Sequence, residues 1–226
     1  LYFITARTDL NKPLSESGAV FIVPSDTPGF KPDFFHEKSS QRLATNGCFH
    51  LQDCKIPAKN ILLGEGKLIE LRGKYMPGSK AEAAATVLGV GRSAYEYAFN
   101  YAKNRKQGGK MIIDHQVVAM MISKMTMLLD GARLQIWKAA WLADNHHPDA
   151  RIQGLISKVR ASEAAFEVCT LATEILGGAG IMYNHPIEKY LRDATSFLHS
   201  DGTNQICSLR VTKALVSDDQ SKLYGF

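Results

Sequence analysis

From about residue 80 onward, apolar residues recur every three or four positions over three long windows. That pattern restricts most of the chain to packed helices. Leu88, Gly91, Tyr95, Ala98 and Ala102 form one stripe, and Val118, Met121, Met125, Leu128, Ala132 and Ile136 a second. Leu155, Val159, Ser162, Phe166, Cys169, Thr173 and Leu176 form a third. The second window, Asp114 to Asn145, would be about 48 Å long at roughly 1.5 Å per residue. Helices that long joined by short loops form antiparallel bundles. Pro77-Gly78-Ser79 is expected to break the chain before the first helix, with Ser79 as its cap. Gly177-Gly178 ends the third, Pro186 opens a short fourth, and a last helix follows Thr203. The methionine stripe, and Trp137 and Trp141 four apart on one face, are read as packing residues.

Before about residue 65 the texture is different. Short β-rich runs, Leu1 to Ala6, Ala19 to Val23 and Cys48 to Ile56, alternate with turn signals such as Thr27-Pro28-Gly29-Phe30. No helical period fits them. The fold class is therefore α+β: a partial β-barrel or sandwich domain over residues 1–66, then an antiparallel helical bundle over 67–226. The chain opens on Leu1 inside a strand-like run, so an N-terminal portion, with any targeting segment, is expected to precede it.

Composition narrows the partners. The formal charge is +5, but the basic residues are scattered (Lys12, Arg42, Lys74, Arg92, Arg133, Lys158, Lys213) rather than gathered on one face, which argues against nucleic acid. A mild basic excess suits an anionic, phosphate-bearing ligand. Cys48, Cys54, Cys169 and Cys207 make no C-x-x-C pair and are read as free thiols in a reducing compartment, cytoplasm or organelle matrix. No apolar run reaches the roughly 18 residues of a membrane span. His146-His147 lacks a third ligand at a useful spacing, so no metal site is expected.

Four pieces carry chemistry. In Asn104-Arg105-Lys106-Gln107-Gly108-Gly109, followed by His115-Gln116, an arginine beside a glycine turn can bind phosphate oxygens with its planar fork; the plainer reading is a helix-end arginine. Ile175-Leu176-Gly177-Gly178-Ala179-Gly180 lets backbone approach a ligand, or simply stops a helix. The adjacent Arg-Asp pair of Tyr190-Leu191-Arg192-Asp193-Ala194 reads as structural, linking helices or subunits. In Ser200-Asp201-Gly202-Thr203-Asn204-Gln205-Ile206, Asp201 either caps a helix or acts as a general base.

The order and spacing of these pieces resemble the acyl-CoA dehydrogenase family. Phe21-Ile22-Val23-Pro24, Ile56-Pro57-Ala58-Lys59-Asn60-Ile61-Leu62-Leu63-Gly64 and Gly89-Val90-Gly91-Arg92-Ser93-Ala94 extend the likeness over essentially the whole chain. The resemblance implies that the bundle over 67–226 is an antiparallel four-helix bundle, and it implies FAD as cofactor and an acyl-CoA substrate. It also implies a homo-oligomer, a tetramer or dimer of dimers built on the bundle, with an electron-transfer flavoprotein as a possible acceptor. It places Arg105 at the FAD pyrophosphate, Gln116 near the adenosine end, and Glu174, Gly177 and Gly178 beside the same moiety. Thr203 and Gln205 fall at flavin-contacting positions, Lys80 and Gly202 at substrate-binding ones, and Asp201 where many members carry the catalytic glutamate. The implied reaction is α,β-desaturation of the thioester.

The pattern departs from the family in four places. Asp201 is one methylene shorter than glutamate. Gly108 stands where an aromatic ring is usual. Glu174 replaces a common glutamine and puts an acid near an anionic pyrophosphate. Lys80 replaces an arginine and loses its bidentate fork. Aspartate as base resembles the nitroalkane oxidase branch, although Ser208 stands where that branch has an arginine. A non-catalytic subunit acting in assembly is the third reading.

Overall fold

The computed structural model describes residues 1–216 and divides the chain into two compact units. One comprises residues 1–38 and 42–75; the other comprises 39–41 and the chain from Met76 on. The last ten residues of the bundle domain expected from the sequence lie outside the described residues.

The first unit contains β1 (Tyr2–Arg7), a single helical turn α1 (Leu14–Ser17), β2 (Gly18–Val23), β3 (Phe30–Phe35), β4 (Gly47–Leu51) and β5 (Ile61–Leu63). β2 is the centre of an antiparallel sheet ordered β1-β2-β5, with Tyr2 opposite Val23 and Arg7 opposite Gly18. Its Gly-Ala-Val-Phe-Ile-Val run is mostly buried, as expected of a strand paired on both edges. β3 and β4 form a separate two-stranded ribbon. The rings of Tyr2, Phe30 and Phe49 cluster, with centroids 4.6 to 5.6 Å apart, and join ribbon to sheet. Neither sheet closes into a barrel. β3 left no trace in the sequence pattern because Lys31, Pro32 and Asp33 interrupt it; the ladder shifts register between Pro32 and Phe35, which accommodates the proline.

α2 (Leu68–Asn104) starts in this unit and continues into the second. The break expected at Pro77-Gly78-Ser79 is absent. A proline removes one helical hydrogen bond, and neighbouring turns can carry the helix past it. Ser79 Oγ donates to the Met76 carbonyl at 3.1 Å within the helix instead of capping it. The segment from Leu68 to Tyr75 supplies good helix formers that the sequence reading passed over.

The helical unit continues through a hairpin of β6 (Lys106–Gln107) and β7 (Lys110–Met111) to α3 (Gln116–Asp144). Then follow α4 (Ala150–Leu176), a 3-10 segment over Gly177–Ile181, α5 (Ile187–Phe197) and α6 (Asn204–Val216). The three apolar stripes meet in one core: Ala98 and Ala102 of α2, Met125, Ala132 and Ile136 of α3, and Cys169 and Leu176 of α4. α4 lies at its centre, buried on every side except the strip bearing Arg160, Glu163 and Glu174. In α5, the buried Asp193 carboxylate accepts from the Gln41 backbone N–H at 2.6 Å and from Lys189. Arg192 pairs with Glu188 and reaches the Ser39 carbonyl. Arg192-Asp193 thus ties the 39–41 segment to α5.

Two expectations are corrected. Trp137 and Trp141 are 62% and 61% exposed and lie outside the core; they sit on the face of α3 opposite Met125 and Ile136, as the helical period dictates. The stretch Ala150–Ile181 is also long and apolar enough to cross a bilayer, by length and composition alone. It scores as apolar because α4 is the bundle's central helix, with alanines and aliphatic residues on most of its circumference.

Cys169, fully buried in α4, has its thiol pushed up to about 12, first by burial and then by the negative charge of Asp193. Only the thiolate attacks disulfide reagents. At pH 8 the half-buried Cys48 and Cys54 should therefore be labelled in the native protein, and Cys169 only after unfolding. Moving to pH 9 should still leave Cys169 silent. Peptide mass spectrometry of the labelled protein checks this, and native labelling of Cys169 would contradict it.

Candidate functional site

α2 ends where Arg105 N–H donates to the Tyr101 carbonyl at 2.8 Å, and the Arg105 carbonyl in turn accepts from Ile112 N–H at 2.9 Å. This pair closes the small hairpin around Gly108-Gly109. His115 Nε2 sits 3.0 Å from the Gln107 carbonyl; because a carbonyl only accepts, the ring donates there. At the same end of the core, α4 stops at Gly177, whose φ of 60° and ψ of −134° suit glycine alone. The hairpin and this turn together form one open cleft of about 640 Å³.

Four of the residues expected to bind the cofactor line that cleft, Arg105, Glu174, Gly177 and Gly178, alongside Tyr101, Gly108 and His115. Gln116 is exposed at the start of α3, next to His115. The electrostatics are mixed. Arg105 provides the positive charge, while Glu174 and the C-terminal end of α4 contribute negative potential. An anionic ligand here depends on the arginine fork and on backbone N–H groups of the glycine turn, where nothing occupies the space a side chain at Gly177 or Gly178 would take.

The remaining predicted residues gather elsewhere in the helical unit, around the loop between α5 and α6. Asp201 and Gly202 both have left-handed backbones, with φ of 53° and 86°. The loop is closed by Asn204 N–H donating to the Leu198 carbonyl at 3.0 Å. Thr203 Oγ1 accepts from Ile206 N–H at 3.2 Å and so supplies the helix cap, which frees the exposed Asp201 carboxylate from that task. Gln205 is exposed on the first turn of α6.

Beneath the loop lies a polar cluster. Lys80 of α2 is 8% exposed and donates to the Asp201 backbone carbonyl. Lys158 of α4, only 1% exposed, donates to the Gly202 carbonyl and to Asn204 Oδ1, both at 2.8 Å. The buried Ser162 completes the set through Asn204, at 3.0 to 3.1 Å. Burial pulls Lys158 below the usual lysine range; Lys80 adds to that effect, while Cys207 and Asp201 oppose it. Lys158, Ser162 and Asn204 escaped the sequence reading, which counted Lys158 among the scattered basic residues. The available signal was its place in the apolar run Leu155-Ile156-Ser157-Lys158-Val159, where a lysine on the core face needs partners.

Residues 76–216 match the family described as acyl-CoA dehydrogenase, C-terminal domain. The chain is 32% identical over 213 residues to the probable acyl-CoA dehydrogenase YngJ of Bacillus subtilis, covering 94% of this chain and 56% of that protein. It is similar to the solved butyryl-CoA dehydrogenase of Megasphaera elsdenii, with 30% identity and a TM-score of 0.89 over 96% of this chain and 56% of that one. It is also similar to PigA, solved with FAD and proline, with 25% identity and a TM-score of 0.86 over 94% of this chain and 55% of that one. The chain belongs to the acyl-CoA dehydrogenase family, and it spans little more than half the length of these relatives.

Proposed function

We propose that the chain forms the FAD-pyrophosphate-binding and base-bearing part of an acyl-CoA dehydrogenase that desaturates an acyl-CoA thioester. The observation that carries this reading is the convergence of Arg105, Glu174, Gly177 and Gly178 on one cleft. Arg105 lies far in sequence from the other three, which share the end of α4 and the turn after it, and the resemblance assigns all of them to one end of one cofactor. The cleft fits a diphosphate in two respects: a guanidinium fork for the oxygens and an unobstructed glycine turn for close backbone approach. FAD, when bound, supplies the acceptor for the hydride that leaves the carbon β to the thioester.

The chain's own part is acid–base work and positioning. Asp201 takes the proton from the carbon next to the thioester carbonyl. The carbonyl oxygen gains negative charge as that proton leaves and is stabilised by a preorganised donor, the backbone N–H of Asp201. Lys80, Gly202, Thr203 and Gln205 set the environment of this loop. Glu174 weakens the hold on the cofactor by placing a carboxylate in a cleft meant for phosphate.

The same reading includes a homo-oligomer, a tetramer or dimer of dimers. Its support is the outer face of α3, where Met120, Met127, Leu134, Trp137 and Trp141 are all more than half exposed. A contiguous apolar stripe of this kind marks an association surface.

Three outcomes follow. Asp201→Asn should lower flavin reduction by acyl-CoA about 10²- to 10⁴-fold at unchanged FAD content, read by anaerobic stopped-flow absorbance; reduction at the wild-type rate would refute the assignment of the base. Glu174→Gln should tighten FAD binding about two- to fivefold, the size of an exposed charge effect, in titrations of the apoprotein. Light scattering should return the mass of a multimer, and Trp137→Glu combined with Trp141→Glu should reduce it; a wild-type monomer would count against the oligomer.

A further inference from the structure

We infer that Lys80 and Lys158 are positioning residues that fix the loop carrying Asp201 by gripping two successive backbone carbonyls from below. The inference rests on the reading of Asp201 as the base, but its structural part can be tested without it.

The geometry is specific. Lys80 reaches the carbonyl of Asp201 and Lys158 the carbonyl of Gly202. In a trans peptide the C=O and the following N–H point to opposite sides, and among the described residues no peptide bond is cis. Drawing both carbonyls inward therefore turns the N–H groups of Gly202 and Thr203 outward, away from the two ammonium groups. It also stabilises two consecutive left-handed residues, one of which, Asp201, is not glycine. A non-glycine residue in that region persists only where its surroundings over-determine it.

The lysines suit this task and little else. Both are buried, and neither is paired with a buried carboxylate in the hydrogen bonds it makes. Their partners are backbone carbonyls and the Asn204 amide oxygen, which Ser162 helps to orient. A buried ammonium needs such acceptors, so the loop holds the lysines as firmly as they hold it. Lys80 comes from α2 and Lys158 from α4, so the loop's backbone is referenced to two helices of the core rather than to its own flanking helices alone. Family likeness places Lys80 at acyl-CoA. Its ammonium is instead engaged with the loop, and the two roles predict different kinetics.

The test compares Lys80→Met, Lys80→Arg and Lys158→Met in the full flavin-loaded protein. Hydrogen exchange followed by mass spectrometry should show the 198–206 segment of Lys80→Met exchanging about tenfold faster or more, the scale of losing one charge-assisted hydrogen bond. Exchange in the α3 and α4 core should be unchanged, and Lys80→Arg should restore most of the protection. In turnover, Lys80→Met should lower kcat with little change in KM. Unchanged exchange at 198–206 in both methionine variants overturns the inference, as does a rise in KM alone, which would return Lys80 to substrate binding. If Lys158→Met loosens the whole bundle, the Lys80 pair decides. Faster loop exchange in Lys80→Met, alongside normal flavin reduction in Asp201→Asn, would retain the clamp and discard the base assignment.

Discussion

The helical unit is organised around α4, whose burial on all but one strip fixes what every neighbour must present. α2, α3, α5 and α6 each lay a face on it, and the small residues Ala161, Ala164, Ala165 and Ala172 allow close approach. Both candidate functional regions are consequences of this helix. Its C-terminal end, at Gly177, forms one wall of the cleft with Arg105. Its middle carries Lys158 to the underside of the α5–α6 loop. A change in the packing of α4 would therefore be felt in both regions.

Lys158 is the most expensive residue in this arrangement. Burying an ammonium in an apolar helix bundle costs several kcal/mol even after relaxation, and the depressed affinity for its proton expresses that cost. A methionine of similar volume would pack there without it. Retaining a charge at that place makes sense only if its acceptors matter, and two of them belong to the segment 202–204. The same logic explains Asn204: its amide oxygen accepts from Lys158 while its nitrogen donates to Ser162, so that one side chain satisfies both neighbours.

Much of this was legible in the sequence, and the failures have physical causes. The three helical stripes were readable because α2, α3 and α4 each bury a face at a 3.6-residue period. The start of α2 was misread because Pro77-Gly78-Ser79 is a strong local stop signal that the tertiary context overrides. β3 was hidden by Pro32 and two charged residues. Trp137 and Trp141 were read as packing residues because a large apolar side chain on a helix is usually buried; they lie on a face that no element among the described residues covers. In the cleft, Arg105 and the glycine turn were found through glycine punctuation and order along the chain, which sequence displays directly. Lys158, Ser162 and Asn204 were missed because they are brought together only by packing, and a lone lysine gives no sign of which way it faces.

Asp201 joins these threads. Its one-methylene shortening relative to glutamate looks like a loss when side-chain reach is considered alone. The backbone at that position is left-handed, a region in which aspartate and asparagine are several-fold enriched because their short polar side chains tolerate it. The identity of the residue and the conformation of its backbone are thus matched. A carboxylate on such a turn projects from a backbone whose following two carbonyl-to-amide planes are set by Lys80 and Lys158. On the proposed reading of Asp201 as the base, the reach lost in the side chain would be recovered in the path of the main chain, with the shorter acid and the two lysines beneath it as a single adjustment of the loop.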